Sequence, residues 1–150
     1  MHQPLWAERP PPTIQHPIAA TRHWPLSTPG ELTLLRMQLR DEILSPDGHG
    51  PLHEDDVDRL LLAFEELASN GLRHGQAPVM VAVITAPDGW LIDVTDAAAD
   101  RVPTPVTDRD PAFGGLGLPL VARLSAAHGW FADTRCKHVW AFITYRAPAR

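Results

Sequence analysis

The stretch Phe64-Glu65-Glu66-Leu67-Ala68-Ser69-Asn70-Gly71-Leu72-Arg73-His74-Gly75 decides how this chain is read. On a helix, with about 100° between successive residues, Leu60, Leu61, Phe64, Leu67, Ala68 and Leu72 fall within an arc of roughly 140°, a core-facing stripe. Glu66, Asn70 and His74 share a second stripe, spaced four and four, which sets their side chains one above another. A solvated face accounts for the same pattern, with Glu66 exposed, Asn70 tolerated and His74 a favourable charge at the helix C-terminus. Against that reading, Asn competes for backbone hydrogen bonds inside a helix. Gly71 beside it costs up to about 1 kcal/mol relative to Ala. Two poor helix formers side by side point to something approaching that face closely.

Outward from this helix, the punctuation of the chain is clear. Gly75 stops the helix and Pro78 lies beyond it. Val79 to Thr85 and Leu91 to Thr95 are apolar or β-branched runs joined by Ala86-Pro87-Asp88-Gly89-Trp90, which predicts an antiparallel hairpin. Asp96 ends the second run, a place where a carboxylate is ordinarily a turn or cap residue. Ala97 to Phe113 has no periodicity and is expected to be a loop. A helix is predicted from Leu118 to His128, followed by a closing strand pair over Phe131–Thr134 and Val139–Tyr145. Upstream, a helix capped by Ser27 or Thr28 carries Leu32, Leu35, Met37, Leu39 and Ile43 as its stripe and ends before Ser45-Pro46-Asp47-Gly48. A first strand over Ala20–Leu26 places Trp24 inward. The predicted order is β-α-α-β-β-loop-α-β-β.

Phe113-Gly114-Gly115-Leu116-Gly117-Leu118-Pro119-Leu120 leads straight into a helix. Glycines let the backbone approach a ligand, and the first amides of a helix attract anions. Linkers and caps have the same composition. The run lacks the Lys-Ser/Thr of a P-loop, and no dinucleotide-binding βαβ unit surrounds it.

The order of these features resembles the GHKL (Bergerat-fold) ATPase/kinase superfamily, and within it the anti-sigma factor serine/threonine kinases of bacteria. Residues 64–75 look like the N-box, Asp93-Val94-Thr95-Asp96 like the start of the G1 box and Gly115-Leu116-Gly117-Leu118 like the G2 box. The likeness extends over about residues 20–146. It implies an α/β two-layer sandwich, a mostly antiparallel mixed sheet with helices on one face. It further implies ATP and Mg²⁺ as cofactors, with Glu66 as general base and the Asn70 amide oxygen on the metal. Asp96 would accept from the adenine amine, and His74, Gly114, Gly115, Leu116, Gly117 and Leu118 would line the nucleotide. The implied partners are a STAS-type anti-anti-sigma protein as substrate and a sigma factor, with a homodimer as a further expectation. Phosphoryl transfer suits such a set, because it needs positioning, a metal and a placed base. The G1 box departs from the pattern, with Ala98 and Asp100 where glycines are usual. That departure keeps a second expectation open: a nucleotide-sensing or partner-binding module without turnover.

The remaining composition sets bounds. The chain has 150 residues, 44% apolar and 21% charged, with net charge −5, an ordinary single globular domain that offers no basic face to nucleic acid. Residues 1–19, with Pro4, Pro10, Pro11, Pro12 and Pro17, read as an arm, and residues 20–150 as the domain. Trp6 in the arm either docks or stays free, while Trp130 and Trp140 are expected in the core. No membrane helix or signal peptide is expected, and the single cysteine, Cys136, fits a reducing, cytoplasmic setting. His49 and His53 straddle Gly50-Pro51, so no helix aligns them as metal ligands, and no structural zinc is expected in the chain. Cys136 has no evident His-Asp partner in the sequence.

Overall fold

The computed structural model describes residues 6–14, 22–44, 53–99 and 117–145. Its elements are β1 (Arg22–Leu26), α1 (Pro29–Ile43), α2 (Glu54–His74), β2 (Val79–Ala86), β3 (Gly89–Asp96), α3 (Gly117–Leu124), β4 (Ala127–Ala132) and β5 (Lys137–Thr144). The predicted order holds. The strands form one five-stranded sheet, β1-β2-β3-β5-β4, each neighbour pair antiparallel.

Local chemistry explains the boundaries. Thr28 caps α1: its hydroxyl accepts from the Glu31 amide at 3.4 Å, and the Glu31 carboxylate accepts in return from the Ser27 amide at 3.3 Å. That resembles a capping box, with the return bond made to the residue before the N-cap. Glu54, Asp55 and Asp56 place negative charge on the first turn of α2, where the helix dipole favours it. Arg59 donates to Asp56 and to the Thr144 carbonyl, which ties α2 to the end of β5.

Side-chain alternation along the strands builds two cores. Val81, Val83, Trp90, Ile92, Val94, Val139, Ala141 and Ile143 face the helices and meet Leu60, Leu61, Phe64 and Leu67 of α2. Leu91, Trp140 and Phe142 point to the opposite face, joined by Ile14 from the arm. Covering on both faces is why β2, β3 and β5 read as nearly continuous apolar runs. Helices lie on one face only, the two-layer α/β arrangement expected.

The arm passes from one face to the other around the β4 edge. Trp6 is buried on the helix side, its indole N–H donating to the Leu118 carbonyl at 3.1 Å. Glu8 then makes a parallel bridge to Trp130, and the Arg9 carbonyl accepts from the Trp140 indole at 2.9 Å on the far face. A Cβ on Gly129 would meet Arg9 Cγ at 2.5 Å and the Ala7 carbonyl at 3.1 Å, so glycine there makes room for the crossing.

Three expectations need correction. α3 ends at Leu124 rather than His128, and β4 begins at Ala127, because His128-Gly129-Trp130 pairs with β5. Met37 is 56% exposed: α1 buries only the stripe of Leu32, Leu39 and Ile43, and Met37 lies off it. Trp130 is only half-buried at the rim of the helix-side core, whereas Trp140 is fully buried on the other face.

Candidate functional site

α2 lies across the sheet with its C-terminal half against β2 and β3. Gly71 permits the approach, since a Cβ there would lie 2.8 Å from Val94 Cγ1 and 3.3 Å from Val79 Cγ1. What comes close to the helix at Gly71 is the sheet, through Val94 and Val79. Asn70 and Glu66 lie off that contact and are half-buried, and His74 is exposed in the last turn.

Two further contacts bring the motifs together. Gly75 ends α2 with an extended backbone, φ −83° and ψ 178°, so it is not a left-handed cap. Its lack of a side chain matters for another reason: a Cβ would lie 2.7 Å from the Asp96 carboxyl carbon and 2.6 Å from the Gly71 carbonyl. At the other end, a Cβ on Gly117 would meet Glu66 Oε2 at 3.1 Å, so the Glu66 carboxylate lies against the first residue of α3. Glu66, Asn70, Asp96, Gly117 and Leu118 thus belong to one region between α2, the end of β3 and the start of α3. Gly114, Gly115, Leu116 and Asp100 lie outside the described residues, as does most of the loop predicted over Ala97 to Phe113.

The electrostatics differ at the two ends. Burial, and secondarily the neighbouring Glu65, pushes the Glu66 carboxyl above the usual carboxylate range, with Arg73 opposing. Asp96 is 2% exposed and its carboxylate is held on several sides. Its Oδ1 accepts from the Ala98 amide at 2.7 Å and from the Gln76 amide at 3.4 Å, and its Oδ2 faces Lys137 Nζ at 3.4 Å. Lys137, itself buried, was not singled out in the sequence. The signal available was a lysine at the head of the apolar run Val139-Trp140-Ala141-Phe142-Ile143, in a register that sets it opposite Asp96. A carboxylate offers about four lone-pair sites; with these three contacts made, room for one further donor remains. Ala98, where the motif has glycine, is fully buried beside it.

The start of α3 offers the unpaired amides of a helix N-terminus, and no acidic residue lies in its first turn. The donor set of this region, an amide oxygen on Asn70 and carboxylates, suits a hard cation that keeps its waters and a polyphosphate.

A family model described as the histidine kinase-like ATPase domain matches residues 27–143. No curated protein matches the chain significantly.

Proposed function

The chain belongs to the histidine kinase-like ATPase domain family, and from that premise we propose that it binds ATP-Mg between α2 and α3 and phosphorylates a serine of a STAS-type anti-anti-sigma partner. A sigma factor is the further partner that this reading implies. The observation that carries this reading is a pair of contacts along α2, Asp96 against Gly75 just past the helix C-terminus and Gly117 against Glu66 further back along the helix. Glu66 and Gly75 are nine residues apart, so the two contacts lie roughly 13 Å apart along the helix. That span suits a nucleoside triphosphate laid along α2, adenine towards Asp96 and γ-phosphate towards Glu66.

Each residue then has a physical task. Asp96 accepts from the adenine amine with its remaining lone pair, and Lys137 on its Oδ2 holds it in orientation. Asn70 offers its amide oxygen between the two ends, where Mg²⁺ would draw charge from the phosphates. The first amides of α3 face the phosphates across Gly117. Glu66 takes the proton of the serine hydroxyl as its oxygen bonds to the γ-phosphorus and ADP leaves; an elevated carboxyl affinity for protons favours that role.

Calorimetric titration with ATP, with and without Mg²⁺, tests the site on wild type and Asp96→Asn. Mg-dependent binding that disappears in Asp96→Asn is the expected result. A second reading, a partner-binding module without turnover, draws on Ala98 and on the engagement of Asp96 by Lys137. Absence of binding at millimolar ATP decides for it.

A further inference from the structure

On the face of the sheet away from the nucleotide region, the β4–β5 turn gathers three different metal-ligating side chains. Asp133, Cys136 and His138 each bring one ligand atom into a group spanning less than 4.8 Å. Cys136 Sγ lies 3.4 Å from His138 Nε2 and 3.6 Å from Asp133 Oδ2, and His138 Nε2 lies 3.5 Å from Asp133 Oδ2. A tetrahedral zinc ion with bonds of about 2.3 Å to sulfur, 2.05 Å to nitrogen and 2.0 Å to oxygen requires ligand separations of about 3.6, 3.5 and 3.3 Å, respectively S–N, S–O and N–O. The three observed separations match one face of that tetrahedron to about 0.2 Å.

Two of the three ligands, Asp133 and His138, are held by contacts besides those between the ligand atoms. Asp133 Oδ1 accepts from the amides of Arg135 at 2.7 Å and Cys136 at 2.8 Å, which leaves Oδ2 directed at the thiol and imidazole. The His138 ring is stacked on Phe131 with centroids 4.2 Å apart. Its Nδ1 lies 2.9 Å from Asp93 Oδ2, and the other oxygen of Asp93 is buried without a hydrogen-bond partner. With its proton on Nδ1 towards Asp93, the imidazole presents the Nε2 lone pair to a carboxylate oxygen and a sulfur. Cys136 Sγ donates to Asp133 Oδ2, and a cation that displaced this thiol proton would meet the thiolate, the imidazole and the carboxylate together. A carboxylate behind the non-ligating nitrogen of a metal-binding histidine is the usual supporting arrangement.

We propose that Asp133, Cys136 and His138 bind a zinc-class divalent cation, oriented through Asp93, with water in the fourth position. Sulfur and imidazole donors favour zinc over Mg²⁺, so the site is chemically separate from the one at Asn70. Lys137 lies between two of the ligands in sequence, with its side chain on the helix face against Asp96. The ion would therefore fix the strand segment from which Lys137 reaches the nucleotide region.

Cobalt(II) titration of the full chain under a non-chelating reductant tests this. The expected outcome is one ion per chain, tetrahedral visible bands and a thiolate-to-metal charge-transfer band, all displaced by zinc. Cys136 is the only cysteine, so the charge-transfer band must vanish in Cys136→Ser while the circular dichroism stays native. Asp93→Asn should weaken affinity about 10–100-fold without removing the band. No charge-transfer band in the wild type, a band surviving in Cys136→Ser, or half an ion per chain would each overturn the proposal.

Discussion

At Glu66 a carboxyl group sits half-buried beside Glu65 and against Gly117, and both burial and the like charge favour its protonated form. If Glu66 is the base, transfer needs it ionised, so activity falls on acidification at a pH above the ordinary carboxylate value of 4.5. The acid limb of the kcat profile measures this, and a limb at or below that value would remove Glu66 from the role. Glu66→Gln should abolish transfer while leaving ATP affinity within a few-fold, whereas Asn70→Ala should impair both. Folding carries the opposite sign. A carboxyl raised in the folded state contributes stability at low pH that is lost as pH rises through its folded value. Glu66→Gln should therefore raise the melting temperature at neutral pH. The spacing of Glu66 and Asn70 was legible in the sequence because helical periodicity alone puts them on one stripe; the proton affinity of Glu66 was not, because α3 is distant in sequence.

Among the elements, α2 meets β2 and β3 at Gly71, and β3 meets β5 at Asp96 and Lys137. Gly71→Val would drive two methyl groups towards Val94 and Val79, where even a Cβ lies 2.8 Å from Val94 Cγ1. Overpacking of this kind costs about 1–3 kcal/mol or more, readable as a lowered urea midpoint. Lys137 faces Asp96 across the β3–β5 ladder, both buried. Lys137→Met leaves the Asp96 carboxylate without its cation, at a cost on the order of 3 kcal/mol. A stable Lys137→Met protein with unchanged ATP affinity would show that the ion pair does not serve the nucleotide. Sequence periodicity placed both strands, but register decides that Lys137 rather than its neighbours stands opposite Asp96.

For the whole molecule, the arm joins the two faces of the sheet. Trp6 fills the helix-side core and bonds the first turn of α3, and Ile14 packs on the opposite face. Removing a buried tryptophan costs about 3–5 kcal/mol, and here it also frees the start of α3. Trp6→Ala should lower the melting temperature and weaken ATP binding together. Gly129→Val separates the causes, because it obstructs Arg9 and Ala7 at the crossing while leaving Trp6 intact. If ATP affinity is unchanged in both, the arm is structural only. No helix among the described residues is long and apolar enough to cross a membrane.

What the sequence determined by itself was local: the helix stripe, the hairpin signals, a cap at Ser27 or Thr28 and the element order, each set by periodicity or turn chemistry within about a dozen residues. The motif order was legible too, and with it the family. Only the tertiary structure decided why Gly71 and Gly75 are glycines, since the atoms they avoid belong to β2, β3 and Asp96. It alone decided that Asp96 meets Lys137, that Trp6 docks, and that Cys136 has Asp133 and His138 as neighbours. The last of these overturns the expectation of an unpartnered thiol, because a turn folds Asp133 back and strand alternation carries His138 to the same side. Contacts between residues far apart in the chain depend on register and crossing, which one-dimensional pattern does not encode.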